Sequence, residues 1–578
     1  MKISKTLFKE LIRCKSYYGL NKLYEERKKV SFSNASFSDL KEYLGLMIDK
    51  DDFSDKLEKP IEEWEQEQFQ ETEAILIKYA NKLLKTEFLS GSLDKQKKLK
   101  YIDQHGNIFY TKVDGYQETK DEIIILEAKA KSSKDFVDQD KYFKKDKSFL
   151  TLLDISETDG KKAEKEYLKF LNNQVFNPGH KTIGRYIYDG LYTYFLATKN
   201  NPHKKKITFY MALLNNEYVL DLNKVTLDDP YPRSDGGEIV VLLDMSKFYQ
   251  EFISLIEKDI ENIQITIQND FFIEPEVGVK CRRKDQKIAC LFCPVCFDEL
   301  LKSPGSALYF YRTAHHKFGD ILAGKTTMDM YDDSELSPIN QIQKQVFVSG
   351  KQYIDKEAIR SWLDKLVYPI YHLDFEGFQS PLPRFQGEKP YDQSVFQFSL
   401  HTEKAKNALK DINDCHYSFL VSDFEDHREE CAKALVEKID LTNGGTVLTY
   451  NQNYEKLRIK ELAELYPQYR EQLLKIKDHI VDLLDVFVEP ANGGKGKIFF
   501  YDTKLKGSFS IKKVLPVFVS ELSYQDLEVQ HGMMAQAAYY SFKTANEEDL
   551  AKTRHNLEEY CKLDTWSMAA IVHALSKI

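Results

Sequence analysis

Three groups of side chains in this sequence have the types and spacing that phosphate or metal chemistry needs. The first is Asp114 with Glu127-Ala-Lys129. Glu127 and Lys129 are two residues apart in the run EIIILEAKAKS, and on a strand that spacing projects both from one face. Two carboxylates can hold Mg²⁺ against a phosphate oxygen, while the lysine orients water or steadies charge developing at phosphorus. A solvated strand end that merely carries charges is the plain alternative. The second group is Asp374-Phe-Glu376, again two carboxylates on one face of an apolar strand, YPIYHLDFEGF. It is accompanied by Glu455, which opens a helical pattern after a strand ending at Tyr450, and by Tyr560 and Asp564, one turn apart on a C-terminal helix face.

The third group is made of thiols. Four of the eight cysteines crowd into VKCRRKDQKIACLFCPVCF, at 281, 290, 293 and 296. Two arrangements compete. All four could bind Zn²⁺, although zinc sites favour two CxxC pairs on separate turns. Alternatively Cys14, Cys281, Cys290 and Cys296 could hold a [4Fe–4S] cluster and leave Cys293 spare. Cys415, Cys431 and Cys561 are isolated and read as core or near-surface residues.

The elements that must position these residues follow from hydrophobic period. The first 30 residues read as a helix through Leu7, Leu11, Ile12, Tyr18 and Leu23, with Cys14 in its middle. An acidic stretch from Asp49 to Glu73 ends in a helical pattern through Ile75, Tyr79 and Leu83. Ile108, Tyr110, Lys112 and Asp114 alternate as a strand does, and EIIILEAKAKS supplies a second one. Tyr186 to Leu196 and Lys247 to Ile260 read as helices. KITFYMALLNNEYVLDL between them reads as a hairpin turning at Asn215-Asn216. A helix at Lys356 to Leu366 precedes the Asp374 strand, and a final helix runs from Asn546 to Ser576. The chain thus divides into an α/β unit over 1–345, a helical connector over 346–365 and a second α/β unit over 366–578.

Composition sets outer bounds. The 578 residues carry 82 Lys+Arg against 91 Asp+Glu, a formal net charge of -9, which excludes a uniformly basic coat but not a local basic groove. No stretch approaches the length of an apolar membrane span. The N-terminal segment lacks a signal-peptide core, so a cytoplasmic protein is expected. Basic runs at 95–100, 141–147, 203–206 and 280–287 lie near the first group. Interleaved with Tyr and Phe, they make a single-strand groove one expectation and a solvated face the other. Tyr186, Tyr188, Tyr192 and Tyr194 offer base stacking or core packing.

Several motifs resemble known families. VDGYQ followed by IIILEAKAKSS is similar to the D…ExK signature of the PD-(D/E)xK nucleases, particularly the RecB type. That resemblance implies an upstream helical acid, for which Glu71 and Glu73 are candidates. It also implies a glutamine on a following helix, where this chain has Thr193. One early cysteine with three downstream resembles the iron–sulfur RecB-type nucleases, among them CRISPR-associated ones, and implies the Cys14, Cys281, Cys290, Cys296 ligand set. Asp374 and Glu376, Asn451-x-x-Tyr454-Glu455, and Tyr560-x3-Asp564 resemble, in this order, the three motifs of DnaQ-like exonucleases of the DEDDy type. That family usually has Asp where Glu455 stands; Asp482 and Asp485 are fallback carboxylates. More widely, residues from about Leu366 to Leu575 look like a bacterial family known by its domain of unknown function, number 2779.

The resemblances imply a restriction-endonuclease-like N-terminal domain and a ribonuclease-H-like C-terminal domain. Asp114, Glu127, Asp374, Glu376, Glu455 and Asp564 would bind Mg²⁺ or Mn²⁺, with Lys129 assisting and Tyr560 orienting water. The expected activity is hydrolysis of DNA, at single strands or 3′ ends, in repair or in defence against foreign nucleic acid. Trimming of RNA 3′ ends and a non-catalytic module that binds nucleic-acid ends are the alternatives. No membrane partner is expected.

Overall fold

The computed structural model describes residues 1–14, 16, 58–88, 96–137, 142–153, 155–158, 160–175, 182–268, 296, 300, 302–312, 317–489 and 496–578. It is a mixed α/β protein with several mixed sheets. Among the described residues no helix is long and apolar enough to cross a membrane.

The N-terminal unit is built on a six-stranded sheet. Its strands are β4 (Gly115–Glu118), β5 (Glu122–Ser132), β6 (Phe143–Asp146), β7 (Phe149–Leu152), β8 (Lys206–Leu214) and β9 (Val240–Asp244), in the order β4-β5-β8-β9-β7-β6. Beside it lies a three-stranded sheet of β1 (Lys2–Ser4), β3 (Ile108–Val113) and β2 (Lys97–Ile102), with β3 in the middle. The apolar run of β5 is long because the strand is covered on both faces: Ile123 and Ile125 enter one core and Leu126 the other. Beyond Leu126 the strand becomes polar, and that end carries Glu127 and Lys129.

Helices dress this unit, among them α1 (Lys5–Arg13), α2 (Glu58–Leu84), α3 (Thr182–Lys199) and α4 (Ser246–Gln268). In α1 Phe8 and Leu11 are buried, Phe8 lying 4.5 Å from the ring of Tyr192. Lys5 and Lys9, one turn apart, share a face. Gly190 lets α3 and α4 approach closely, since a Cβ there would stand 2.1 Å from the Tyr249 hydroxyl. Cys14 is the C-cap of α1 and not its middle; the expected continuation through Tyr18 and Leu23 lies outside the described residues. The expected hairpin at Asn215-Asn216 is also corrected. β8 pairs with β9, over twenty residues later, while the segment after Asn215 leaves the sheet to meet the second unit. There the Leu220 N–H donates to the Glu388 carbonyl at 2.9 Å, and the Gly387 N–H donates to the Leu220 carbonyl at 2.9 Å.

The C-terminal unit is a five-stranded sheet of β10 (Ile370–Gln379), β11 (Gln393–Glu403), β12 (His416–Leu420), β13 (Thr446–Thr449) and β14 (Ile480–Asp482). The order is β12-β11-β10-β13-β14, with β11 antiparallel to β10 and β12, and with β13 and β14 parallel to β10. Alternation along β10 is clean. Tyr371, Leu373 and Phe375 enter the core beneath α5 (Arg428–Lys438), α6 (Asn453–Leu465) and α7 (Arg470–Asp478). His372, Asp374 and Glu376 therefore face the opposite side, where α8 (Ile511–Phe518), α9 (Gly532–Ser541) and α10 (Glu547–Leu575) pack. α10 begins where the sequence places it: Asn546 caps it by accepting the Asp549 N–H at 3.0 Å, and three acids fill its first turn.

The helix α2 belongs to both units. Its Trp64 packs 5.8 Å from the Phe378 ring, Glu67 accepts from the Tyr540 hydroxyl at 3.1 Å, and its other end buries Leu76 and Tyr79 against Leu220 and Leu382.

Candidate functional site

At the second carboxylate group, β10 and α10 bring three acids together. Asp374, Glu376 and Asp564 each place an oxygen within 4.8 Å of the others. Among the described residues this is the group of three or more metal-ligating side chains that close. Glu376 is 9% and Asp564 7% exposed. Burial drives the Asp374 carboxyl well above the usual range, and the nearby charges of Asp564, Glu376 and Glu455 push it further. The strongest charges acting on Asp374 are therefore like charges.

Glu455 is in the first turn of α6, 3% exposed, and stands outside the 4.8 Å trio. Its Oε2 is buried without a hydrogen bond among the described residues, and burial lifts its pKa to about 8, with Asp482 adding to the rise. Asp482 is committed elsewhere. Its carboxylate accepts the backbone N–H groups of Asn451 at 2.8 Å, Gln452 at 3.0 Å and Leu484 at 3.0 Å. It thus fixes the turn that launches α6, where Asn451 adopts a left-handed φ of 65°. Glu455 lies in the first turn of the helix that this turn starts.

Tyr560 lies one turn before Asp564 on α10, 4% exposed. The structure adds a residue that the sequence did not announce. Tyr524 donates to Asp564 Oδ1 at 2.7 Å, and its ring sits 6.3 Å from that of Tyr560. Lys512 Nζ lies 5.4 Å from the Tyr524 ring and 5.7 Å from the Tyr560 ring, a positive charge beside both phenols.

The first group also assembles. Asp114 follows β3 directly, and its Oδ2 accepts the Ala128 N–H of β5 at 2.8 Å. Glu127 is 1% exposed; Lys129 donates to its Oε1 at 2.7 Å, and Lys5 of α1 pairs with the same oxygen. Burial raises the Glu127 pKa, but Lys129 and Lys5 outweigh it and hold the carboxyl below its usual range. Burial, then the Glu127 charge, pushes Asp114 up to about 7. Of the two upstream acids, Glu73 faces the site. Gln96 Nε2 bridges Glu73 at 3.2 Å and Asp114 at 3.3 Å, whereas Glu71 is exposed.

Thr193 does not reach this cluster: it is fully buried, its hydroxyl donating to the Asp189 carbonyl at 3.1 Å. Asp189 itself, one turn earlier on α3, pairs with Lys9 at 2.7 Å and Lys129 at 3.7 Å. The sequence reading missed Asp189; an acid on an apolar helix, in GRYIYDGLY, is the signal that points to it.

Cys281, Cys290 and Cys293 lie outside the described residues, as does the basic run at 280–287; of the expected thiol ligands only Cys14 and Cys296 are described, both partly buried. The other basic runs are partly spent on the chain's own acids: Lys144 pairs with Glu157, Lys145 with Glu217 and Lys205 with Glu118. Tyr188, Tyr192 and Tyr194 are core residues, and Tyr186 is the one left partly exposed.

A family model described as "Domain of unknown function (DUF2779)" matches residues 371–510. The match takes in Asp374, Glu376 and Glu455 and ends before Tyr524, Tyr560 and Asp564. "Uncharacterized protein UU173" of Ureaplasma parvum serovar 3 is 26% identical over 228 residues, 37% of this chain and 32% of that protein. The chain thus spans about a third of the length of that relative. No solved structure matches.

Proposed function

We propose that this chain is a metal-dependent nuclease that hydrolyses phosphodiester bonds of DNA, with a 3′–5′ exonuclease centre at Asp374, Glu376, Glu455 and Asp564. The observation that carries the reading is the convergence of Asp374, Glu376 and Asp564 within 4.8 Å. Three carboxylates so close in a buried pocket repel one another, so they must take up protons or a cation. With two oxygen-donor acids on one strand and a third on a helix, the set fits Mg²⁺ or Mn²⁺. Once bound, such a cation would supply Lewis acidity toward the phosphate and acidify a water.

The chain's own groups have distinct tasks in this reading. Tyr524 fixes the Asp564 carboxylate, Asp482 places Glu455, and Tyr560 orients the attacking water. Lys512 offers its charge to the phosphate at the rim. The sheet order, with the second strand antiparallel and the fourth and fifth parallel to the first, supports a ribonuclease-H-like, DnaQ-type fold for this unit.

Asp114, Glu127 and Lys129, with Glu73 completing the acids, are proposed as a RecB-like PD-(D/E)xK centre. A specific observation favours a second reading there. Lys5 and Lys129 already neutralise Glu127, so a cation would have to displace Lys5. In that second reading, the cluster grips a nucleic-acid end without cutting it. A [4Fe–4S] cluster on Cys14, Cys281, Cys290 and Cys296 would belong to this same unit, with Zn²⁺ as the other candidate; iron and sulfide analysis of anaerobically purified protein separates them.

The test is digestion of end-labelled DNA and RNA strands in Mg²⁺ or Mn²⁺ by wild type, Asp374→Ala and Glu127→Ala. Loss of 3′ trimming in Asp374→Ala is expected. Residual cutting abolished by Glu127→Ala assigns the first centre as catalytic. No cleavage by wild type of any strand would sink the nuclease reading.

A further inference from the structure

Between the two units runs a cleft of about 890 Å³. One wall is α2, through Trp64, Glu65, Gln68 and Phe69; another is the end of β5, through Ala130, Lys131 and Ser132. The far side is formed by the loop around Lys389 and Tyr391 and by the start of α9 at Gly532.

None of the acids of either centre lines the cleft, but both centres adjoin its walls. On α2 the lining positions 65 and 69 lead, at steps of four, to Glu73, which shares Gln96 with Asp114. Along β5 the lining begins one residue after Lys129. At the other end, a Cβ on Gly532 would stand 3.7 Å from Glu376 Oε2, so the cleft wall and the second centre are neighbours.

The lining has the chemistry of a single nucleic-acid strand. Phe69 is 48% exposed on this wall. Tyr186 and Tyr391 add further rings, and Lys131, Lys134 and Lys389 add positive charge that Glu65 and Asp392 partly offset. Stacking on aromatic faces with modest phosphate attraction is how sequence-tolerant single-strand binders work. A volume near the upper end of small-molecule pockets suits a few nucleotides of one strand and not a duplex.

We infer that this cleft is a track for single-stranded nucleic acid that feeds both carboxylate centres. The inference rests on the nuclease reading for what happens to the strand, but not for its binding.

Fluorescein-labelled oligo(dT) of roughly 16 nucleotides, titrated by anisotropy with Ca²⁺ in place of Mg²⁺, reads the binding directly. The combined variant Phe69→Ala, Lys134→Glu, Lys389→Glu changes three partly or fully exposed side chains and is expected to raise Kd about tenfold or more. In Mg²⁺, the ratio of strand hydrolysis to hydrolysis of the p-nitrophenyl ester of thymidine 5′-monophosphate should fall by a similar factor. Separately introduced Asp374→Ala and Glu127→Ala report each centre. An unchanged Kd, or no affinity of wild type for oligo(dT) or oligo(rU), overturns the track. A fall confined to one centre overturns the sharing. Absence of both strand and ester hydrolysis in wild type overturns the nuclease reading instead, while the Kd comparison still judges the cleft.

Discussion

The Tyr524 hydroxyl donates to Asp564 Oδ1 at 2.7 Å and lies 3.2 Å from Ser567 Oγ, entirely within the protein interior. The phenol comes from the segment between α8 and α9, and the acid from α10. The hydroxyl thereby restrains a carboxylate that also has an oxygen within 4.8 Å of Asp374 and Glu376. Burial, then the Asp564 charge, drives the Tyr524 pKa well above its usual value, so the phenol stays a neutral donor.

Tyr524→Phe is therefore expected to weaken cation binding at this centre about 10- to 100-fold, the usual range for losing a partner of a ligand. Mg²⁺ titration of strand hydrolysis checks it: the apparent cation requirement should rise, while saturating Mg²⁺ restores much of the rate. A purely structural role would lower the rate at all Mg²⁺ concentrations.

Gly377 follows Glu376 at an irregularity in the β10–β11 pairing. A Cβ there would meet the Tyr454 hydroxyl at 2.2 Å, whereas the next atoms stand at 3.5 Å. Gly377→Ala should cost about 1–3 kcal/mol by overpacking. Adding Tyr454→Phe removes the clashing oxygen and should recover most of that loss. Urea denaturation of the two single variants and the double variant measures the coupling; additive losses would contradict it.

Asp482 satisfies three backbone N–H groups with a charged acceptor. Asp482→Ala should lower stability by about 2–4 kcal/mol, since each such hydrogen bond contributes about 1.5–3 kcal/mol and water replaces part of it. Asp482→Asn, which keeps an acceptor oxygen, should lose less. The melting temperatures of the two variants should order accordingly.

Stability without divalent cations should fall as pH rises. Glu455 titrates at about 8 and Asp114 at about 7 in the folded chain, both above the ordinary carboxylate value near 4. Between those limits the folded chain holds protons that the unfolded chain has released, so deprotonation favours unfolding. The penalty is absent below about pH 4 and complete above about pH 8. Cations bind the deprotonated acids, so the stabilisation by Mg²⁺ should widen over the same window. Thermal melts in chelator and in Mg²⁺ across this range test both trends, and Glu455→Gln should flatten the chelator slope.

What the sequence determined by itself is local. Period-two alternation in EIIILEAKAKS and YPIYHLDFEGF puts Glu127 with Lys129, and Asp374 with Glu376, on shared faces, because strand geometry leaves no other choice. The i, i+4 step does the same for Tyr560 and Asp564, and Asn546 marks the start of their helix. The tertiary structure decided which of these faces meet. It selected Glu73 over Glu71 through Gln96, gave Asp482 to the backbone, and brought Tyr524 and Asp189 to sites that no spacing announced. It also turned the segment after Asn215 away from its own strand toward Gly387 and Glu388. Each outcome depends on contacts between residues far apart in the chain, where packing and hydrogen bonding across elements outweigh the short-range preferences that periodicity records.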